Sequence, residues 1–518
     1  MALGPVLLIF PPGWSLDVGG PYLALPMLRS FLEKRGVPVE SLDLNLGLAS
    51  IGGVSLSEAD VRASCSTPTL HSLNEPFFER QKSLASLAGI GAWDIREGFR
   101  AEGLNTASSE GVRCFVEETA PFAFLFSKHT LPRIREINPS IIGISITVPG
   151  QLVPSLELCR LLRNNGYRGL IVLGGNLVTR LGKDICKKWI FDLVDGITLF
   201  QGEYAIYDLW TMLSHRGAMK GVRNMVWRQG CVIVSNVAEA LAKEDFLGPD
   251  FEGLEPSQYW GTSYLPMIAS RGCYYGRCTF CAIPYAWGKG GFLGSAEPAA
   301  VVSQMAALAE RWQIRRFKFV DEAMHPGLLA EMSNRILEAS LSFEFEGYAR
   351  LERAWLIPRL IEKLAKSGLK KLYFGLELTD SENRAKLGKN DASANILEIL
   401  KLLNDNGIKS HLFCMVGFPG TGVKEAFDTL DFVLEHRNLI DTLDLFPFEY
   451  ARHTRVDGIE VVQAKGDDWA INYAYRGQTP GVLSTDEVKV LANEMEELLW
   501  REKPIWLHPI YRLYSPWR

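Results

Sequence analysis

The chain has 518 residues, too many for one ordinary core, so two or three domains are expected. Its 47% hydrophobic and 22% charged residues are the proportions of a folded globular protein, and no stretch approaches the ~20 apolar residues of a membrane span. A net charge of −5 gives no global reason to expect a nucleic-acid partner or an anionic membrane surface.

The opening run Met1 to Phe10 is briefly apolar and lacks the basic flank of a signal peptide. Nine cysteines, three clustered and six scattered, do not read as a disulfide framework. The expected compartment is therefore a reducing cytoplasm.

Strand and helix patterns alternate from the start. Val6 to Phe10 is a buried-strand run. The loop after it carries Pro12, Gly13, Gly19 and Gly20, and Leu23, Leu25, Leu28, Phe31 and Leu32 form a helical stripe ending at Gly36. Val37 to Leu44 reads as a second strand. An insertion over about 50–137 separates it from the third, Ile141 to Thr147; the pattern of that insertion assigns no fold. A helix is expected over Leu152 to Arg163, a strand over Gly169 to Leu173, a helix over Val178 to Trp189 and a strand over Leu193 to Leu199. Five strands with intervening helices imply a Rossmann-like doubly wound parallel sheet over 1–215. Ligands of such sheets lie beyond the carboxyl ends of the strands. Ser145, Thr147, Gly174, Gly175, Gly202 and Glu203 stand there with the first loop, and the glycines allow close approach of a large planar ligand. A dinucleotide site is disfavoured because the first loop has no Gly-x-Gly-x-x-Gly.

Residues 216–262 read as a linker with a short hairpin, Met225 to Arg228 and Cys231 to Ser235, where Cys231 is a strand residue. From 263 to 447 the βα alternation returns six times: Tyr264 to Ala269, Arg315 to Val320, Phe343 to Ala349, Lys371 to Leu376, His411 to Val416 and Thr442 to Phe446. Six parallel strands with outer helices imply a partial (βα)6 barrel. Catalytic groups gather at the carboxyl ends of barrel strands. Asp321, Glu322, Arg350, Glu377, Gly417 and Pro419 lie at those ends, while Cys414 and His411 read as core. Residues 448–518 form a small helical and aromatic region, with a helix over Thr485 to Trp500 and an aromatic end, Trp506 to Arg518. Tyr450, Arg452 and His453 are candidates for substrate contact.

The first barrel strand delivers Ser270-Arg-Gly-Cys-Tyr-Tyr-Gly-Arg-Cys-Thr-Phe-Cys281, with Cys273, Cys278 and Cys281 in nine residues. Thiolates are soft ligands that suit iron–sulfur clusters and zinc. A closed structural zinc site needs four ligands, and no fourth Cys or His stands nearby. Three thiolates on a strand-to-helix loop, with Phe280 before the last, resemble the [4Fe–4S] loop of the radical S-adenosylmethionine (SAM) superfamily, in which the open iron chelates SAM. The family spacing is Cys-x3-Cys-x2-Cys, against Cys-x4-Cys-x2-Cys here.

With the amino-terminal third, the chain resembles the cobalamin-dependent radical SAM enzymes over residues 1 to about 450. The resemblance implies that Pro12, Gly13, Gly19, Gly20, Ser145, Thr147, Gly174, Gly175, Gly202 and Glu203 face cobalamin. It implies that Asp321 and Glu322 hold the SAM amino group, Arg350 its carboxylate and Glu377 its ribose. Gly417, Pro419 and Phe280 would enclose the adenine. Cobalamin proteins that ligate cobalt through histidine carry Asp-x-His-x-x-Gly after the first strand; no Asp-x-His occurs in this chain, so the cofactor is expected base-off without a histidine ligand. The implied activity is methylation of an unactivated carbon in a natural-product intermediate or ribosomal peptide, with a flavodoxin or ferredoxin as electron donor. The alternatives are a cobalamin-dependent rearrangement, cyclisation or ring contraction, a radical SAM oxidoreductase without cobalamin, and a non-enzymatic cluster or metal scaffold.

Overall fold

The computed structural model describes residues 3–13, 20–46, 93–94, 98–259, 264–288, 291–389, 391, 393–478 and 481–503. Gly19, the early part of the insertion and Trp506 to Arg518 lie outside them.

The amino-terminal sheet is built on β1 (Val6–Phe10), followed by α1 (Ala24–Glu33) and β2 (Val39–Asp43). After the insertion come β3 (Ile141–Ser145), α2 (Leu152–Asn164), β4 (Leu170–Gly174), α3 (Asn176–Leu181), β5 (Gly196–Thr198) and α4 (Glu203–His215). These five strands are parallel, in the order β2-β1-β3-β4-β5. Strand alternation explains the double layer. Leu7 and Ile9 of β1 join the core beneath α2, whereas Val6, Leu8 and Phe10 join the core beneath α1 and α4.

Three features depart from the sequence pattern. The helix expected over Val178 to Trp189 breaks after α3 at Gly182, whose φ of +59° ends the helical run; two 3-10 turns follow. The hairpin read as part of a linker extends the sheet instead, as antiparallel β6 (Met225–Gln229) and β7 (Val232–Ser235). The later, apolar part of the insertion supplies Phe99, Val112, Phe122 and Phe126 to the core beneath α2. Buried Glu157 accepts there from the Phe122 amide at 3.2 Å.

The second domain has six parallel strands: β8 (Leu265–Met267), β9 (Arg316–Phe319), β10 (Glu344–Ala349), β11 (Leu369–Glu377), β12 (Lys409–Val416) and β13 (Thr442–Pro447). They pair in sequence order, and the first and last do not pair with each other, so the barrel is open. Phe317, Phe345, Leu372, Phe374, Leu412 and Leu443 pack outward under the helices. Residues of opposite parity form a stack inside. Lys318 pairs with Glu346 at 3.1 Å, Tyr373 donates to Glu346 at 3.0 Å, and the Tyr348 and Tyr373 rings lie 4.8 Å apart. His411, read as core, belongs to this interior; its Nδ1 lies 2.8 Å from the Thr442 hydroxyl.

A three-stranded antiparallel sheet that no sequence pattern announced follows the barrel: β14 (Tyr450–Ala451), β15 (Ile459–Val462) and β16 (Asn472–Gly477). Helix α5 (Thr485–Glu502) follows, capped by Ser484 and Glu487. The loop before β16 reaches the amino-terminal domain, where Trp469 is 2% exposed, donates to the Asp184 carbonyl at 2.8 Å and packs on Trp189. Among the described residues no helix is long and apolar enough to cross a membrane.

Trp469→Ala empties a buried indole site and is expected to cost about 3–5 kcal/mol. Urea unfolding should show that loss, with earlier proteolytic cutting between Glu449 and Asn472; an unchanged midpoint would contradict the docking role.

Candidate functional site

The carboxyl ends of the two sheets face each other, and a cavity of about 490 Å³ lies between them. That size is typical of small-molecule sites. From the amino-terminal sheet it is walled by Ser145, Thr147, Gly174, Gly175, Gly202 and Glu203, six of the positions expected there. Pro12, Gly13 and Gly20 are not among its walls. Gly13 turns the other way: a Cβ on it would meet the Gly150 carbonyl at 2.3 Å, and its φ is +108°. The strand-end loops are tied together by buried Gln151, which accepts from the Thr147 amide at 2.8 Å and donates to the Pro11 carbonyl at 2.9 Å. Thr147 also bonds the Tyr22 hydroxyl at 2.7 Å.

The barrel supplies the opposite wall through Ile268, Arg271, Ala282, Ile283, Trp287 and Glu322. Two polar contacts fasten the halves. Arg271 pairs with Glu203 at 2.7 Å, both nearly inaccessible to solvent, and Gln201 Nε2 donates to the Trp287 carbonyl at 3.1 Å. Neither Arg271 nor Trp287 was legible as a site residue: Arg271 sits in a motif read for its cysteines, and Trp287 lies beyond that motif, where no pattern marks it. The cavity also runs down one sheet face beside Leu8, Gly143 and Val172, where the absent Gly143 side chain leaves a slot between Leu8 and Ile206.

Strand parity separates the paired acids at the end of β9. Glu322, four residues on from interior Lys318, faces the cavity and accepts from Trp287 Nε1 at 3.1 Å. Burial raises its pKa. Asp321 has the opposite parity. Its carboxyl is 1% exposed and accepts from the Ala269 amide at 3.0 Å and from the Ser270 amide and hydroxyl at 2.5 Å. It anchors the start of the cysteine loop rather than presenting an oxygen to a ligand.

The cysteine loop is braced by hydrogen bonds to two segments, 387–388 and Arg455. The Tyr275 hydroxyl donates to the Gly388 carbonyl at 2.5 Å, the Thr279 amide to Leu387 at 3.0 Å, and the Arg455 amide to the Thr279 carbonyl at 3.0 Å. Gly388 is required there: its φ is +70°, and a Cβ would lie 2.7 Å from the Arg277 carbonyl. Cys273, Cys278 and Cys281 are free thiols whose charges act on one another. Burial pushes Cys281 up to about 12 and raises Cys278 as well. Bound iron reverses that effect by stabilising the thiolates. Among the described residues no three Cys, His, Asp or Glu converge where they could hold one metal ion. A cluster spreads its thiolates over separate irons, so this donor set fits a [4Fe–4S] cluster with one corner free.

Around the loop stand the remaining expected residues. The Arg350 guanidinium lies 3.6 Å from the Tyr275 ring centre and 3.4 Å from Glu352. Glu377, at a bulge with φ of +65°, pairs with Lys389 at 2.5 Å, a partner that sequence spacing could not reveal. Phe280 meets Phe418 edge-on at 5.1 Å, and Gly417 (φ +78°) lets the following Phe418 and Pro419 turn beneath it.

Residues 267–433 match the model of the radical SAM superfamily. Along 96% of its length the chain superposes on a structure of the cobalamin-dependent SAM radical enzyme OxsB with aqua-cobalamin and SAM bound, covering 66% of it, with a TM-score of 0.65 and 16% identity. It superposes along 95% on the radical SAM methyltransferase TsrM from Kitasatospora setae, covering 88% of it, with a TM-score of 0.62 and 15% identity. A curated relative, 4'-phospho-dehydrooxetanocin synthase of Priestia megaterium, is 22% identical over 62% of this chain; the chain spans 46% of that relative's length. Residues 267–433 are thus a radical SAM domain. Over nearly its whole length the chain has the fold of the cobalamin-dependent enzymes it superposes on.

Burial pushes the Asp321 carboxyl up to about 6, against the hydrogen bonds that lower it. A carboxyl raised on folding adds stability below the unfolded value near pH 4, and that stability is lost as pH rises through 6; the shift corresponds to about 2–3 kcal/mol. Urea melts of the cluster-free protein between pH 4 and 7 should show this slope, and Asp321→Asn should flatten it. An identical slope in the variant would contradict the assignment.

Proposed function

We propose that the chain is a cobalamin-dependent radical SAM enzyme that methylates an unactivated carbon of a natural-product intermediate or ribosomal peptide. The observation that carries this reading is the cavity between the strand ends of the two domains, whose wall includes Ala282, one residue beyond Cys281. When bound, cobalamin supplies a transferable methyl group, and a [4Fe–4S] cluster supplies the electron that splits SAM.

The chain's own residues bind, orient and exclude water. Ser145, Thr147, Gly174, Gly175, Gly202 and Glu203 form the cobalamin wall, and the slot beside Gly143 suits a detached planar tail, in keeping with a base-off cofactor without histidine. Arg350 receives the SAM carboxylate, for which a guanidinium fork is suited. Glu377, steadied by Lys389, takes the ribose hydroxyls, while Phe280, Gly417 and Pro419 enclose the adenine. Glu322 faces the reacting space and accepts the SAM amino group. The electron donor is a flavodoxin or ferredoxin type of protein, and a reducing cytoplasm suits such a cluster.

The name of the Priestia megaterium relative, a synthase and not a methyltransferase, favours a second reading, a rearrangement or cyclisation without methylation. Product counting separates the two. Anaerobic turnover with reconstituted protein should give S-adenosylhomocysteine and 5′-deoxyadenosine in equal amounts if a methyl group is transferred, and 5′-deoxyadenosine alone if it is not. Cys278→Ala should abolish 5′-deoxyadenosine in either case. Absence of both products from the wild-type protein would overturn the enzyme reading.

A further inference from the structure

Two arginines stand in the wall of the interdomain cavity, and they are served differently. Arg271 is neutralised by Glu203. Arg180, on α3, has no carboxylate within ion-pairing distance among the described residues. Its Nη2 donates to the Ile471 carbonyl at 3.2 Å, its Nε is buried without a hydrogen bond, and its Nη1 is neither bonded nor buried, so it is the donor open to the cavity. Burial, foremost, and the nearby charge of Arg452 lower its pKa. Glu449 and the Cys281 thiol act in the opposite direction; Glu449 is exposed and bonded to Asn472, and Cys281 makes no hydrogen bond to Arg180. Arg452 is itself occupied by Asp184 and by the carbonyls of Asp468 and Ala470. The Arg180 backbone is fixed as well, because its carbonyl accepts from His453 Nε2 at 2.7 Å.

A guanidinium keeps its charge in a protein, and a half-buried cation with an unused donor is unfavourable until an anion completes it. The cavity is the open side of this cation, next to the segment that follows Cys281. We propose that Arg180 binds an oxyanion, the carboxylate or phosphate of a small molecule that enters the cavity. Two sources carry that chemistry: the phosphate in the nucleotide tail of a corrinoid, and an anionic group on the substrate. The inference deepens the reading of the cavity given above, although its first readout needs no corrinoid.

The test uses cluster-reconstituted full-length protein, with inorganic phosphate titrated by calorimetry. Wild-type protein should bind phosphate, and Arg180→Met should weaken that binding by about tenfold or more, as expected for a lost charge-assisted contact, with Arg180→Lys in between. Equal melting temperatures and iron contents establish that the variants are folded; Arg180→Gln serves if Arg180→Met is not. Absorbance titrations with cobalamin and with cobinamide, which lacks the nucleotide phosphate, identify the source. A tenfold loss for cobalamin alone in Arg180→Met assigns the oxyanion to the cofactor, and unchanged affinity for both assigns it to the substrate. No phosphate binding by the wild type, or equal binding by the wild type and Arg180→Met, overturns the proposal. A wild-type protein that takes up phosphate but no corrinoid would sink the cobalamin reading and leave the role of Arg180 standing.

Discussion

The geometry of the whole site depends on the buried ion pair between Glu203 and Arg271. Glu203 begins the helix after the last parallel strand of the amino-terminal sheet, and Arg271 stands two residues before Cys273, so a single contact of 2.7 Å sets cavity wall against cysteine loop. Burying both charges is expensive, and losing one partner of such a pair typically costs about 3–5 kcal/mol because the other is left without compensation. The pair is therefore a source of register more than of stability. It fixes how far apart the two sets of strand ends stand, and the Gln201–Trp287 contact and the Trp469 anchor hold the same spacing from either side.

Strand alternation then decides which end-of-strand residues reach the cavity. In the barrel, outward residues such as Phe317 and Phe345 pack under helices while Lys318, Glu346, Tyr348 and Tyr373 neutralise and stack on one another inside. An ion pair and a tyrosine hydroxyl satisfied within the barrel let it carry charge at its centre without leaving it unpaired. The same alternation sends Glu322 into the cavity and Asp321 into the base of the cysteine loop. Two adjacent acids thus do different work, one facing a ligand space and one holding the backbone that presents the thiols.

Much of this was legible in the sequence, for definite reasons. Runs of strand length, some continuously apolar and some alternating with polar residues, marked the six barrel strands and the five parallel strands of the first sheet, because at least one face of each strand is buried. Cys273, Cys278 and Cys281 were legible because their chemistry is local. Glu377 could be placed at a strand end, but its partner Lys389 is brought in by a helix and a tight glycine turn that no periodicity announces. Asp321 and Glu322 could not be told apart until the register was known. The strands β14 to β16 are two to six residues long and largely exposed, too short for a period to be read from the sequence. Arg180 and Trp287 are site residues only because two domains meet, and contact between domains is not written into the pattern of either one.

The central claim is that a corrinoid and an iron–sulfur cluster face each other across one cavity. Electron paramagnetic resonance of the reconstituted protein, with cob(II)alamin bound and the cluster reduced, tests it most directly. The account predicts a cobalt spectrum without nitrogen splitting from an axial base and broadened by dipolar coupling to the cluster. Two independent, uncoupled signals, or a cobalt signal split by an axial nitrogen, would contradict it.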